Sequence, residues 1–174
     1  MFEDAVRRLQ VLIFARVLVI TLLLGSFYIF RIADVKLLSP VIFSYFIVVL
    51  YFLTIIYAVT LRWIKTPSLL TIFAYIQIVV DVISEVVLIY LTGGIESWFS
   101  FTFLLSIISA SVVLNRRASY YTASLSSILY GLLIEFQFYY LLPPSTVNIF
   151  TARDYLYNVF AHIMAFYLVA FLSG

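Results

Sequence analysis

The chain reads as near-continuous apolar runs separated by short polar connectors. Each run reaches about 20 residues, the length an α-helix needs to cross roughly 30 Å of hydrocarbon. The connectors carry helix start and stop signals. Ser39-Pro40 and Thr66-Pro67 each set a capping hydroxyl before a proline at the first helical position, where the missing N–H is harmless. Thr151-Ala152-Arg153-Asp154 is a capping-box variant, with Asp154 in the first turn, where the helix dipole favours an anion. Gly93-Gly94 stops one helix, and Pro143-Pro144 prevents the continuation of another. The pattern predicts an all-α bundle of six membrane spans in one domain over 1–174, at about 8–31, 40–62, 67–92, 98–115, 117–141 and 152–174.

Composition agrees. Hydrophobic residues make up 66% and charged residues 10% of the chain, against about 25% charged in a soluble domain, and the mean hydropathy is +1.18. This is an integral membrane protein, with no polar stretch long enough for a soluble domain of about 50 residues. The net charge of +2 says little; the placement of the charges says more. With the N-terminus in the cytoplasm, the inner ends hold Arg7, Arg8, Arg62, Lys65, Arg116 and Arg117, and the outer ones only Arg31, Lys36 and Arg153. That excess predicts both termini inside. Trp63, Trp98, Tyr120, Tyr121, Tyr139, Tyr140 and Tyr155 fall near the predicted interfaces and read as membrane anchors. The first span contains Arg16 and no small-residue cleavage site, so it reads as a retained helix, not a signal peptide. The absence of cysteine excludes disulfides and thiolate metal sites and identifies no compartment. The last span ends at Ser173-Gly174 without a polar tail, which leads to the expectation that the chain is truncated there and continues in the cytoplasm.

An ionisable group near mid-membrane costs roughly 2.5–3.5 kcal/mol, so it should face the bundle and find a partner. Arg16 can snorkel to the inner interface or pair with Asp81 across the bundle. Gln77, Asp81 and Glu85 recur every fourth residue and share one face of the third span, with Glu85 about 6 Å further out than Asp81. Two carboxylates so close in low dielectric do not both ionise unless a cation joins them; the bland alternative is a hydrogen-bonded stripe that holds helices together. In the fifth span Ser119, Ala123, Ser127, Gly131 and Glu135 recur every fourth residue, four small residues ending in an acid. Thr102, Ser106 and Ala110 repeat that spacing in the fourth span. Small faces of this kind let helices approach closely, and the short Asn115-Arg116-Arg117 link predicts a hairpin. Glu135, near the outer end, either reaches interfacial water or converges with Glu85 and His162 in the outer half of the bundle. Carboxylate and imidazole together can bind a divalent cation or relay a proton. No spacing ties these three together, so an interhelical hydrogen bond is the expectation for His162, and no metal site is assigned. Gly93 and Gly94 are read as a structural turn.

No phosphate-binding glycine loop and no H-E-x-x-H motif occurs. Ser106, Ser109 and Ser111 lack the glycine-flanked setting of an intramembrane protease nucleophile, and basic patches for nucleic acid are missing. No residue is assigned a catalytic role.

The order of several short motifs resembles a known family. Arg8-Leu9, Ala15-Arg16 and Thr21-Leu22-Leu23-Leu24-Gly25 in the first span are similar to the opening of the membrane domain of PilS-type (pilin-regulating) and related nitrogen-type sensor histidine kinases. The similarity continues through Asp81 and Glu85, then Leu91-Thr92-Gly93-Gly94-Ile95-Glu96-Ser97, Leu105-Ser106-Ile107-Ile108-Ser109-Ala110, Arg116-Arg117-Ala118 and Tyr130-Gly131-Leu132. It closes with Ala165-Phe166-Tyr167-Leu168-Val169-Ala170-Phe171-Leu172-Ser173-Gly174. The resemblance implies a homodimeric, multi-pass receptor of the bacterial inner membrane. A cytoplasmic part would hold the phosphoacceptor histidine and the ATP- and Mg-dependent kinase, which passes phosphate to a response regulator. No cofactor is expected in the chain itself, and His162 lacks the flanking residues of a phosphoacceptor. The stimulus would arrive within the bilayer or at the short outer loops: a membrane lipid, a small ion or a partner protein's transmembrane helix. The competing reading is the substrate-binding membrane subunit of a vitamin or metal importer, with Asp81, Glu85, Glu135 and His162 lining its pocket. The reading frame beyond Gly174 separates the two, since a kinase would continue and an importer subunit would soon stop.

Overall fold

A computed structural model describes residues 2–32, 40–139 and 151–173. Ser39, Lys36, Tyr140, the Pro143-Pro144 pair and Gly174 lie outside the described residues, as does the side chain of Arg31. The described chain forms six α-helices: α1 (Phe2–Ile32), α2 (Pro40–Trp63), α3 (Pro67–Leu91), α4 (Thr102–Val113), α5 (Arg116–Phe138) and α6 (Ala152–Ser173). Two 3-10 turns, Gly94–Glu96 and Trp98–Phe101, lead into α4.

The helix starts follow local chemistry. At α3 the Thr66 carbonyl accepts the first helical bond, from Leu70 N–H at 3.1 Å. Asn115 caps α5, its side-chain oxygen accepting from Ala118 N–H at 2.9 Å. At α6 the Thr151 backbone N–H and hydroxyl both donate to the Asp154 carboxylate, at 2.8 and 2.7 Å, so orphan polar groups at the helix end are met. Two ends differ from the sequence expectation. α1 starts well before residue 8, because Glu3 and Asp4 fall in its first turn and suit the positive end of the dipole. The stretch expected as one helix from 98 to 115 instead begins with a 3-10 turn, Trp98–Phe101, followed by the twelve-residue α4.

Four helical segments are long and apolar enough to cross a membrane: Glu3–Ser26, Val41–Trp63, Pro67–Leu91 and Ala152–Ser173. The stretch Trp98–Val113 is apolar but shorter. Many large apolar side chains point outward, among them Phe14, Val48, Phe52, Ile72, Leu156 and Leu168, an arrangement suited to a lipid surround.

The chain divides into two compact units, Met1–Gln77 and Ile78–Gly174, with the division inside α3. In the first, α1 and α2 pack antiparallel: the Thr21 hydroxyl lies 2.9 Å from that of Tyr51, and the Arg16 guanidinium stacks 4.5 Å over the Tyr57 ring. Buried positions on α2, namely Phe43, Ile47, Leu50, Thr54, Tyr57 and Leu61, recur every three or four residues, the period of a helix with one packed face. Tyr57 also meets Phe73 of α3 edge-on at 5.9 Å. In the second unit α4, α5 and α6 pack against one another around Val82, Ile89, Phe103, Ile107, Ala123, Tyr130, Leu133, Ile134, Phe166 and Ala170.

Candidate functional site

The acidic stripe of α3 is where a polar group in an apolar helix most needs a partner. Gln77 is fully buried, and neither its amide oxygen nor its nitrogen finds a hydrogen-bond partner among the described residues. Asp81 and Glu85, one turn and two turns further on, are half-buried. Glu85 accepts a 2.7 Å hydrogen bond from the Ser106 hydroxyl of α4. Ser106, expected only as a small residue for close packing, is therefore also a donor to the acid. That bond ties α3 to α4 through a group whose hydrogen-bonding capacity changes with its protonation or with a bound cation.

A second polar cluster joins the start of α4 to α5 and α6. Tyr130 of α5 is fully buried, and its hydroxyl donates to Asn158 Oδ1 of α6 at 2.5 Å. The His162 ring lies 4.6 Å from the Tyr130 ring, inclined by 39°. His162 Nδ1 is 2.9 Å from the Asn158 carbonyl oxygen and Nε2 is 2.9 Å from the Ser100 hydroxyl. A carbonyl only accepts, so Nδ1 carries the hydrogen, and in the neutral ring Nε2 accepts from Ser100. Phe103 and Phe166 close the cluster with edge-on contacts to Tyr130 at 6.1 and 6.3 Å. Ser100 and Asn158 stand out in no sequence pattern, and Tyr130 only as part of the Tyr130-Gly131-Leu132 motif. Their signal is the general one that any polar group inside an apolar span must find a partner, and it names no particular partner.

Glu135 points the other way. It is exposed, and among the described residues no three histidine, aspartate or glutamate side chains gather where they could hold a metal ion.

The small-residue face of α5 is turned to α6. Ser119, Ala123 and Ser127 are buried, and a methyl group added at Gly131 would meet Val159 of α6 at 4.0 Å. The single Ser119 hydroxyl hydrogen is shared between the Arg116 carbonyl at 2.8 Å and the Ala170 carbonyl of α6 at 3.3 Å. The Ser127 hydroxyl has no hydrogen-bond partner among the described residues. Thr102, Ser106 and Ala110 of α4 are buried as well; Thr102 donates to the Phe99 carbonyl at 2.8 Å. Further along α6, Ser111 of α4 donates to the Ser173 carbonyl at 2.6 Å, the Ser124 and Tyr167 hydroxyls lie 2.8 Å apart, and the Arg116 guanidinium sits 5.5 Å over the Phe171 ring. The last turns of α6 are thus gripped from α4 and α5 by hydroxyls.

The turn after α3 sets the geometry of the Glu85 side. Gly93 and Gly94 hold φ of 125° and 59°, backbone that L side chains rarely adopt. A methyl group at Gly94 would overlap the Gln137 side-chain amide of α5, so the turn packs directly on that helix. Ser97 then caps the second 3-10 turn, accepting from Phe99 N–H at 3.2 Å, while its hydroxyl meets that of Thr92 at 2.6 Å.

Helices that turn large apolar side chains outward and bury hydrogen-bonded polar groups between themselves define a polytopic α-helical membrane domain. Over residues 3–174 the chain matches the PilS-like transmembrane domain, a six-span family, and it belongs to that family. No curated protein and no solved structure matches it.

Proposed function

We propose that this domain is the signal-input part of a two-component sensor histidine kinase in a bacterial inner membrane. The family match over 3–174 carries the reading. In it, both termini face the cytoplasm and the chain acts as a homodimer. A stimulus in the bilayer or at the outer edge, such as a lipid, a small ion or a partner's transmembrane helix, favours one packing of α3, α4 and α5 over another. A stimulus shifts such an equilibrium only by its differential affinity for the two packings. The Glu85–Ser106 bond is a suitable switch, because protonation or a cation changes what the carboxylate can accept. The hydroxyls of Ser111, Ser119 and Ser124 would carry the change to α6, and α6 would pass a displacement to the kinase. ATP and Mg act there, and a response regulator takes the phosphate.

The test places Asp81→Asn with Glu85→Gln in the full-length kinase and measures autophosphorylation in native membranes. The expected outcome is an altered basal or stimulated rate. Unchanged signalling at normal protein levels would reduce the stripe to a structural role.

A further inference from the structure

Between the start of α1 and the end of α2, within the first unit, a cavity of about 390 Å³ opens to the surroundings. Its walls are apolar, formed by Val6, Ile13, Ala58 and Leu61, and its polar members are Gln10 and Arg62. Arg62 is exposed in the last turn of α2, and no hydrogen bond or ion pair engages it among the described residues. Trp63, the next residue, is 78% exposed and sets this end of the helix at headgroup depth, where indole rings prefer to sit. Around the same end stand Arg7, Arg8 and Lys65 against the acids Glu3 and Asp4, and Asp4 interacts with Arg8. A concave apolar wall below an uncommitted guanidinium, at the level of the headgroups, matches an amphiphile with one anionic phosphate.

We propose that this cavity is a binding site for an anionic phospholipid. Arg62 would hold the phosphate through paired N–H donors, Gln10 would hydrogen-bond the headgroup, and one acyl chain would lie along Ile13, Ala58 and Leu61. Basic pockets between membrane helices take such headgroups. The proposal requires only that the chain spans a membrane, and it stands whatever signal the domain reads.

The test is native mass spectrometry of the purified 174-residue chain, released from micelles holding equal amounts of phosphatidylglycerol and phosphatidylcholine. The wild type should retain phosphatidylglycerol in excess. Arg62→Gln should lower that excess about tenfold, the equivalent of about 1.5 kcal/mol for one lost hydrogen bond to a charged group. Lys65→Gln, outside the cavity, should lower it less than twofold, and Ala58→Phe, which fills the cavity, should lower retention of both lipids. Equal retention of the two lipids by the wild type, or equal losses in Arg62→Gln and Lys65→Gln, would overturn the proposal. So would displacement of the lipid by water-soluble glycerol phosphate, which would make the headgroup alone the ligand. If Arg62→Gln does not fold by circular dichroism, Ala58→Phe decides, and undiminished phosphatidylglycerol in that variant overturns the site.

Discussion

Glycine is where a single residue in this chain has the most legible consequence, and its sign depends on position. Gly94 sits at φ 59° with the Gln137 amide against its α-carbon. Left-handed backbone costs an L residue about 1–2 kcal/mol, and the overlap adds to it. Gly94→Ala should therefore lower the thermal midpoint in detergent clearly, and Gln137→Ala in the same background should recover the overlap portion but not the backbone portion. Gly131 is the opposite case. Its added methyl would reach Val159 at an ordinary 4.0 Å, so Gly131→Ala should stabilise α5 by about 0.5–1 kcal/mol through backbone entropy, read as a raised midpoint in the same assay. The sequence showed that Gly93-Gly94 ends a helix, because glycine is what left-handed backbone selects. It did not show Gln137 beneath the turn, since that contact depends on how α5 packs and leaves no local pattern. Glu85 and His162 follow the same rule. Their need for partners was legible from their place in apolar spans, whereas the partners, Ser106 and Ser100, arise only on folding.

Helix boundaries were legible wherever a residue acts on its own neighbours. Pro40, Pro67 and the Thr151–Asp154 pair do so, and α2, α3 and α6 begin at or beside them. The shortened α4 was not, because Trp98–Phe101 is as apolar as the helix it leads into and winds as a 3-10 turn instead. The small-residue repeat on α5 allows a close helix approach, but its spacing cannot say which neighbour is approached. That neighbour is α6, through Ser119 and Gly131. Two substitutions separate hydrogen bonding from fit at this contact. Ser119→Ala removes a shared hydroxyl and should destabilise by about 0.6 kcal/mol, the usual size of an interhelical hydrogen bond in a membrane. Ser119→Ile forces bulk into a fully buried position and should cost about 1–3 kcal/mol. Denaturant titration in detergent measures both. A larger loss for the alanine than for the isoleucine would mean that the bond, not the close approach, holds α6.

At the scale of the whole molecule, the charges decide which way the bundle faces. In the sequence Arg7, Arg8, Arg62, Lys65, Arg116 and Arg117 fall at helix ends proposed to be cytoplasmic, and Arg31, Lys36 and Arg153 at ends proposed to face outward. The bias acts during insertion, through the cost of moving Lys and Arg across the membrane, so it is readable without any knowledge of packing. Residues 1–174 contain no cysteine, so in this 174-residue chain one introduced thiol reports one position without removing any other. Thr66 and Ala152 are both exposed, uncharged and next to helix starts, so replacing them leaves the charge bias intact. In spheroplasts a membrane-impermeant maleimide should label Ala152→Cys directly, and Thr66→Cys only after detergent opens the membrane. The reverse pattern would place the termini outside and remove α6 as a route to a cytoplasmic kinase. Labelling of both thiols in intact spheroplasts would put residues 66 and 152 on the same side, which an odd number of crossings between them forbids, and would reduce the spans actually crossed below six.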